Sequence, residues 1–288
     1  MRAAALVLPA MLLGCGGAPA RYLVGEPYRM GGVWSYPRED FALVETGLAT
    51  RHPGPGGFAP TANGEAWSAR RALAAHRTLQ LPSAVTVTNL ENGRSLTLRV
   101  NDRGPAAPGR VIGLSDRAAE LLGLPPDGAA QVRIAVDGDR SRAMAEGGPG
   151  RETPRIAIAT APRAAVAAES LAPPPGIRAA AAARPVAAEP ASAAPPGPPP
   201  RDVAFSEAVS EGTPQPGRLF VEAATVSGAI AAAALAARLP GARVEAFGPP
   251  RDRQYRVRLG PFARVAEADA ALERSLAAGV SGARILVD

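Results

Sequence analysis

Glu65 and Asp102 are the two carboxylates whose surroundings in the chain offer acid–base chemistry. Glu65 follows the turn pair Asn63-Gly64, which puts its carboxylate at a loop edge and not in a core. Asp102 follows a strand ending at Val100 and precedes Arg103-Gly104-Pro105, which ends that strand and exposes the acid. Two carboxylates that meet push their pKa values apart and leave one protonated near neutrality. One such group can protonate a leaving oxygen and then take a proton back. Each also has a plainer reading: a solvated turn acid for Glu65, an ion pair with Arg103 or a turn cap for Asp102. His76, within Ala74-Ala75-His76-Arg77, is either a hydrogen-bonded packing residue or a partner of one acid. His52 has no assigned role. One Cys rules out a disulfide framework, a Cys-rich zinc site and an iron–sulfur cluster, and two His leave little for a His-built metal centre. Nothing requires a metal or an organic cofactor.

The elements around these residues are short. Ala84–Leu90 and Arg94–Val100 alternate apolar and polar residues about Asn92-Gly93, a hairpin turn that supplies positive φ. Val85 and Val87 share one face, as do Leu96, Leu98 and Val100. Ser115 caps a short helix through Ala118, Ala119 and Leu122 to Gly123, and Asp116 suits its first turn through the helix dipole. Gln131–Asp137 is a further strand. Short strands with one small helix in about 115 residues suggest a closed β-barrel. From Arg218 the pattern predicts strand 219–226, helix 229–239, strands 242–247 and 254–259, helix 265–278 and strand 283–287. This is a β-α-β/β-α-β unit with four strands and helices on one face.

The chain has 288 residues, with 31 Gly, 31 Pro and 4% aromatic residues. That composition argues against one globule and for smaller domains joined by a tract. Fifteen of the prolines fall between 149 and 216. Such a segment cannot bury enough apolar surface to offset its ordering, and reads as a disordered spacer, partly polyproline II, with a reach on the order of 200 Å. The net charge is +6 and every basic residue is Arg. Either an acidic polymer partner or a GC-rich coding bias accounts for it. The apolar run Ala3–Leu13 is too short for a bilayer span of ~20 residues but fits a secretory signal. Leu12-Leu13-Gly14-Cys15 resembles a bacterial lipoprotein signal. The resemblance implies loss of residues 1–14, lipid on Cys15, and, with Gly16 next, the inner leaflet of the outer membrane facing the periplasm. A plain signal with a chance Cys is the alternative.

Six ordered motifs carry a resemblance: Thr61-Ala-Asn-Gly-Glu65, Ala74-Ala-His-Arg-Thr-Leu79, Leu81-Pro-Ser83, Val87-Thr-Asn-Leu90, Asn92-Gly-Arg-Ser95 and Val100-Asn-Asp-Arg-Gly-Pro105. With the stretch from Tyr22 through Trp34 and Pro37 to Gly47, they are similar to the rare lipoprotein A family. That resemblance implies a mainly β fold, a six-stranded double-ψ β-barrel over 20–137. Residues 218–288 resemble a SPOR (sporulation-related repeat) domain through Tyr255-Arg-Val-Arg-Leu-Gly-Pro-Phe262 and the helix of Ala268, Ala271 and Leu272, with the linker at 138–217. Glu222 stands where Gln is usual and Val226 where an aromatic is usual.

Enzymes of this family are lytic transglycosylases that open the MurNAc–GlcNAc bond without water, leaving a 1,6-anhydro end. The resemblance carries over Asp102 as acid/base, Glu65 as its partner and stabiliser, and His76 as a hydrogen-bonding residue. Asn63 and Arg103 in the barrel, with Tyr255, Arg256 and Phe262 in the SPOR domain, would contact substrate. The implied partners are denuded peptidoglycan glycan strands at the division septum, the membrane through the lipid anchor, and divisome proteins. Nucleic acid is not among them, since the strands lack the stacking aromatics of RNA readers. A tethered glycan binder without turnover is the alternative function. The chain departs from the family pattern at Arg51-His52, where Trp-Tyr is common, and at Ser68 and Gly113, where Asp is common.

Overall fold

The hairpin about Asn92-Gly93 organises the first domain. Gly93 takes φ +78° and its N–H closes the turn on the Asn89 carbonyl at 2.8 Å. Asn89 and Asn92 each donate from Nδ2 to the Leu122 carbonyl at 2.9 Å, so the turn also holds a helix end. The computed structural model describes residues 20–57, 59–126, 128–147 and 205–288. The expected signal segment, Cys15 and the stretch 148–204 of the expected spacer lie outside the described residues.

In chain order the elements of the first domain are β1 (Tyr28–Met30), β2 (Val33–Ser35), β3 (Val44–Arg51), β4 (Leu73–His76), β5 (Ser83–Asn89), β6 (Arg94–Asp102), β7 (Arg110–Leu114), α1 (Asp116–Leu122), β8 (Ala130–Val136) and α2 (Gly138–Gly147). Strands run in the order β4-β7-β3-β8-β5-β6, and β6 pairs back to β4, which closes a six-stranded barrel. Two of its pairings, β3–β7 and β4–β6, are parallel. The interior holds Val85, Val87, Leu96, Leu98, Val100, Ile112, Leu114 and Ile134, the inward positions of alternating strands. Ser115 caps α1 as its sequence predicts, accepting from Ala118 N, and its hydroxyl also joins Arg71 O and Leu73 N. Gly123 ends α1 in the left-handed conformation.

Two findings reshape the expected spacer. Helix α2 occupies its first ten residues, with Ser141 bonded to the backbone of Ala84 on β5. At its far end, residues 205–217 lie along the barrel. Glu207 accepts from Ala72 N and Arg117 Nε, β9 (Ser210–Glu211) pairs with β6, and Gln215 N donates to Leu90 O.

The second domain comprises β10 (Leu219–Val226), α3 (Ala229–Ala237), β11 (Arg243–Phe247), β12 (Gln254–Phe262), α4 (Val265–Ala277) and β13 (Arg284–Val287). Its antiparallel sheet has the order β11-β12-β10-β13. Helices cover one face, where Ala232, Ala268, Ala271 and Leu272 meet Val221, Val257, Leu259 and Ile285. Edge strand β13 meets the barrel. Thr46 Oγ1 donates to Val287 O at 2.5 Å, Arg110 forks onto Asp269 at 2.5 and 2.9 Å, and Leu48 joins the second core.

Gly109 makes that approach possible. It sits at φ +73°, and a Cβ there would lie 2.6 Å from Leu272 Cδ2. Gly109→Ala is expected to loosen the contact and cost at least about 1 kcal/mol. Faster amide exchange in β13 and α4 checks it; parent-like exchange would mean the contact is not held in solution.

Candidate functional site

The strand that carries Asp102 runs two residues further than its sequence suggests. Parallel pairing with β4, where Ala75 faces Asp102, extends β6 through Asn101 and Asp102. Asp102 is therefore buried, 5% exposed, and not the strand-end surface acid expected from Arg103-Gly104-Pro105. Its Oδ1 accepts from Ala62 N at 2.9 Å, and its Oδ2 pairs with His52 Nε2 at 3.1 Å. His52 comes from the loop after β3. Its ring meets Trp67 edge-on, centroids 5.0 Å apart.

The glycines around His52 explain how it fits. A Cβ on Gly113 would lie 2.8 Å from His52 Cβ, and one on Gly104 would lie 2.8 Å from its Cε1. The position where the family commonly has Asp is thus empty of side chain because an imidazole lies against it. The pair borders a cavity of about 510 Å³ whose walls include Met30, Pro55, Pro60, Arg103 and Ala107. Arg103 spends its donors on the carbonyls of Leu79 and Val24, so it braces that wall through the backbone.

Glu65 lies on the other side of the same strand end. Strand alternation sends Val100 and Asp102 inward but Arg99 and Asn101 outward. Arg99 forks onto Glu65 at 2.6 and 2.9 Å, Asn101 Nδ2 adds 3.0 Å and Asn63 Nδ2 adds 2.8 Å. The two acids therefore do not meet, and Glu65 faces a separate groove of about 470 Å³ with Arg71, Leu73 and Phe205. Burial alone would raise the Glu65 pKa. Hydrogen bonding and charge from Arg99, with the two Asn amides, overcome that and hold it below its ordinary 4.5. Asn63 is fully buried beneath this carboxylate.

His76 belongs to neither group. Its Nδ1 accepts from Thr78 N and Leu79 N, which leaves the proton on Nε2 to be donated to Glu45 Oε1 at 3.1 Å. The Glu45 partner was missed because a strand acid beside Thr46-Gly47 has no local signal. His52 was missed because its meaning depends on Gly113, sixty-one residues away.

In the second domain only one of the three expected contact residues lies on the helix-free sheet face. Tyr255 and Phe262 pack with the helix-side core, whereas Arg256 stacks over Phe247 at 4.0 Å. Arg258, over Phe220 at 4.8 Å and bonded to Glu245 and Asp288, shares that open face.

Residues 45–134 match the family model described as lytic transglycolase, and residues 215–285 match the SPOR domain model. The endolytic peptidoglycan transglycosylase RlpA of Rickettsia bellii is 41% identical over 116 residues, 39% of this chain and 51% of that protein. The protein of the same name from Pseudomonas aeruginosa is 44% identical over 114 residues, 38% of this chain and 32% of its own. A probable RlpA of Nostoc is 49% identical over 94 residues, 32% and 25% of the two chains. The chain spans about half, or less, of the length of these curated relatives. Barrel and second domain together define the class: a double-ψ β-barrel of the lytic transglycolase type joined to a SPOR domain. Within that class the barrel is similar to the RlpA proteins of Rickettsia bellii and Pseudomonas aeruginosa.

The Glu65 clamp has a pH signature. A carboxylate held below its ordinary value adds stability that is fully present above 4.5 and is lost as pH falls through the lower, folded value. Glu65→Gln is expected to cost about 1–3 kcal/mol at pH 7, because Arg99 is left half-buried without its counter-charge. The variant should also lose less stability than the parent on acidification. Urea unfolding between pH 7 and pH 3 checks both; parallel pH profiles would contradict the clamp.

Proposed function

We propose that this chain is an endolytic peptidoglycan lytic transglycosylase of the cell envelope, with Asp102 as its acid/base group. The observation that carries the reading is the Asp102–His52 pair at 3.1 Å on the wall of a cavity large enough for a sugar. The reaction has two proton transfers. One goes to the glycosidic oxygen as the bond from MurNAc C1 breaks, and the other comes from the MurNAc 6-hydroxyl as it bonds to C1. Water is not consumed. A carboxyl group can supply the first proton and take back the second. Ala62 N and His52 Nε2 fix both oxygens of Asp102, so the group is oriented before substrate arrives.

Glu65 serves differently in this proposal. Held as a carboxylate by Arg99, it sets the loop that delivers Ala62 N to Asp102 and is not the proton donor. His76, on β4, fixes Glu45 on β3, one strand beyond the neighbouring β7. The SPOR sheet face, with Arg256 and Arg258 stacked on Phe247 and Phe220, would hold denuded glycan strands and bring the enzyme to the division septum. A lipid on Cys15 would keep the chain at the outer membrane, where divisome proteins are candidate partners.

A second reading is a wall-binding lipoprotein without turnover. What favours it is the dispersal of the three expected residues: Asp102 and Glu65 border different cavities, and His76 pairs with Glu45. Ser68, where the family commonly has Asp, adds no carboxylate.

Digestion of peptide-free glycan strands separates the two readings. Turnover is expected to release 1,6-anhydromuramyl ends, and Asp102→Asn should lower the rate by about 10²–10⁴ while strands still bind. Binding without anhydro ends in the parent chain would leave only the second reading.

A further inference from the structure

The barrel exposes two large aromatic rings that its own packing does not use. Trp34 is 51% and Tyr36 63% exposed. Trp34 lies on β2 and Tyr36 directly follows its last residue, and both rings line the same groove. The strand beneath them is pinned. Arg77 Nη1 donates to Met30 O and Ser35 Oγ at 3.2 and 3.3 Å, Tyr28 donates to Arg77 O at 2.8 Å, and Ser35 is buried. Two rings held out to solvent on a fixed edge are a preorganised surface.

Both rings line a groove of about 390 Å³ between the barrel and β13. Its floor includes Glu45, whose Oε1 is taken by His76 and whose Oε2 has no partner among the described residues. Arg284 and Leu286 form the opposite wall. Both belong to the helix-free face of the SPOR sheet, because Ile285 and Val287 between and after them point into the helix-side core. The groove thus runs along the edge strand of the sheet whose open face carries Arg256 and Arg258.

Charge selects the class of ligand. Arg110 is neutralised by Asp269, Arg284 by Glu222, and the Arg77 donors are used on backbone and hydroxyl oxygens. With Glu45 present, the groove offers little net attraction for phosphate. Flat rings beside a carboxylate and guanidinium edges suit a neutral ligand with an apolar ring face and equatorial hydroxyls, which is a pyranose. We propose that Trp34 and Tyr36 form a stacking subsite for N-acetylated hexosamine residues of a glycan strand, along the edge strand of the SPOR sheet. This rests on the reading that glycan strands are the ligand.

The test uses the full chain and two probes, denuded glycan strands and an N-acetylglucosamine hexamer. The chain has two tryptophans, Trp34 and Trp67. Titration with the hexamer is expected to shift Trp emission to the blue in the parent and in Trp67→Phe, and to leave Trp34→Ala silent. Affinity for strands should fall about tenfold in Trp34→Ala, and less in Tyr36→Ala, with the thermal midpoint unchanged because both rings are exposed. Parent-like binding in both variants, with loss in Arg256→Ala, would overturn the subsite and leave glycan binding on the SPOR sheet alone. No strand binding by the parent would overturn the functional reading, and the subsite with it.

Discussion

The alternation of strand β6 is the constraint on which the site depends. Leu96, Leu98 and Val100 must face inward to fill a closed barrel, and their burial fixes the register of everything after them. Asp102 inherits the inward direction and arrives at the barrel's mouth, where His52 and Ala62 N meet it. Arg99 and Asn101 inherit the outward direction and close on Glu65. A slip of one residue would exchange the two sets. It would bury a guanidinium among leucines, at a cost no neighbouring group could offset. The two carboxylates are therefore kept apart by the same period of two that builds the core.

Much of the fold was legible because its signals are local. Asn92-Gly93, Ser115 and Gly123 act within a few residues, and each does in the structure what its chemistry dictates. The β-α-β/β-α-β unit was legible for a similar reason: Ala-rich helices and Val/Leu alternation keep their periods over whole elements. Strand ends were less legible, since β6 continues past Val100 only through pairing with β4, a strand nearly twenty residues earlier. The start and end of the expected spacer were hidden in the same way. Helix α2 is held by Ser141 on β5, and the segment after 205 is held by Glu207 on backbone and Arg117. None of those partners is a neighbour in sequence.

The departures from the family pattern become intelligible as a set. His52 and Gly113 are far apart in the chain and adjacent in space, and a side chain at 113 would collide with the imidazole. Read singly, each substitution removes something: an aromatic ring at 52, a carboxylate at 113. Taken together, they replace two groups by one ionisable ring bonded to Asp102. Gly54 belongs to the same arrangement. A Cβ there would stand 2.3 Å from the Trp67 ring, the ring that packs against His52. A single chain position could not have revealed this, because the meaning lies in the space between positions.

The all-Arg composition finds its physical use in the folded domains. A guanidinium offers five N–H donors in a rigid fork, where an ammonium offers a flexible point charge. Arg99 uses the fork on Glu65, and Arg110 uses it on Asp269 where the domains meet. Arg258 holds Glu245 and Asp288 while lying over Phe220, and Arg77 and Arg103 spread their donors over backbone carbonyls. Arg99, Arg110 and Arg258 thus meet carboxylates, whereas Arg77 and Arg103 meet neutral oxygens. The groove beside Trp34 and Tyr36 combines two exposed rings with the Glu45 carboxylate and guanidinium groups, a mixture that suits discrimination by stacking and hydrogen-bond geometry.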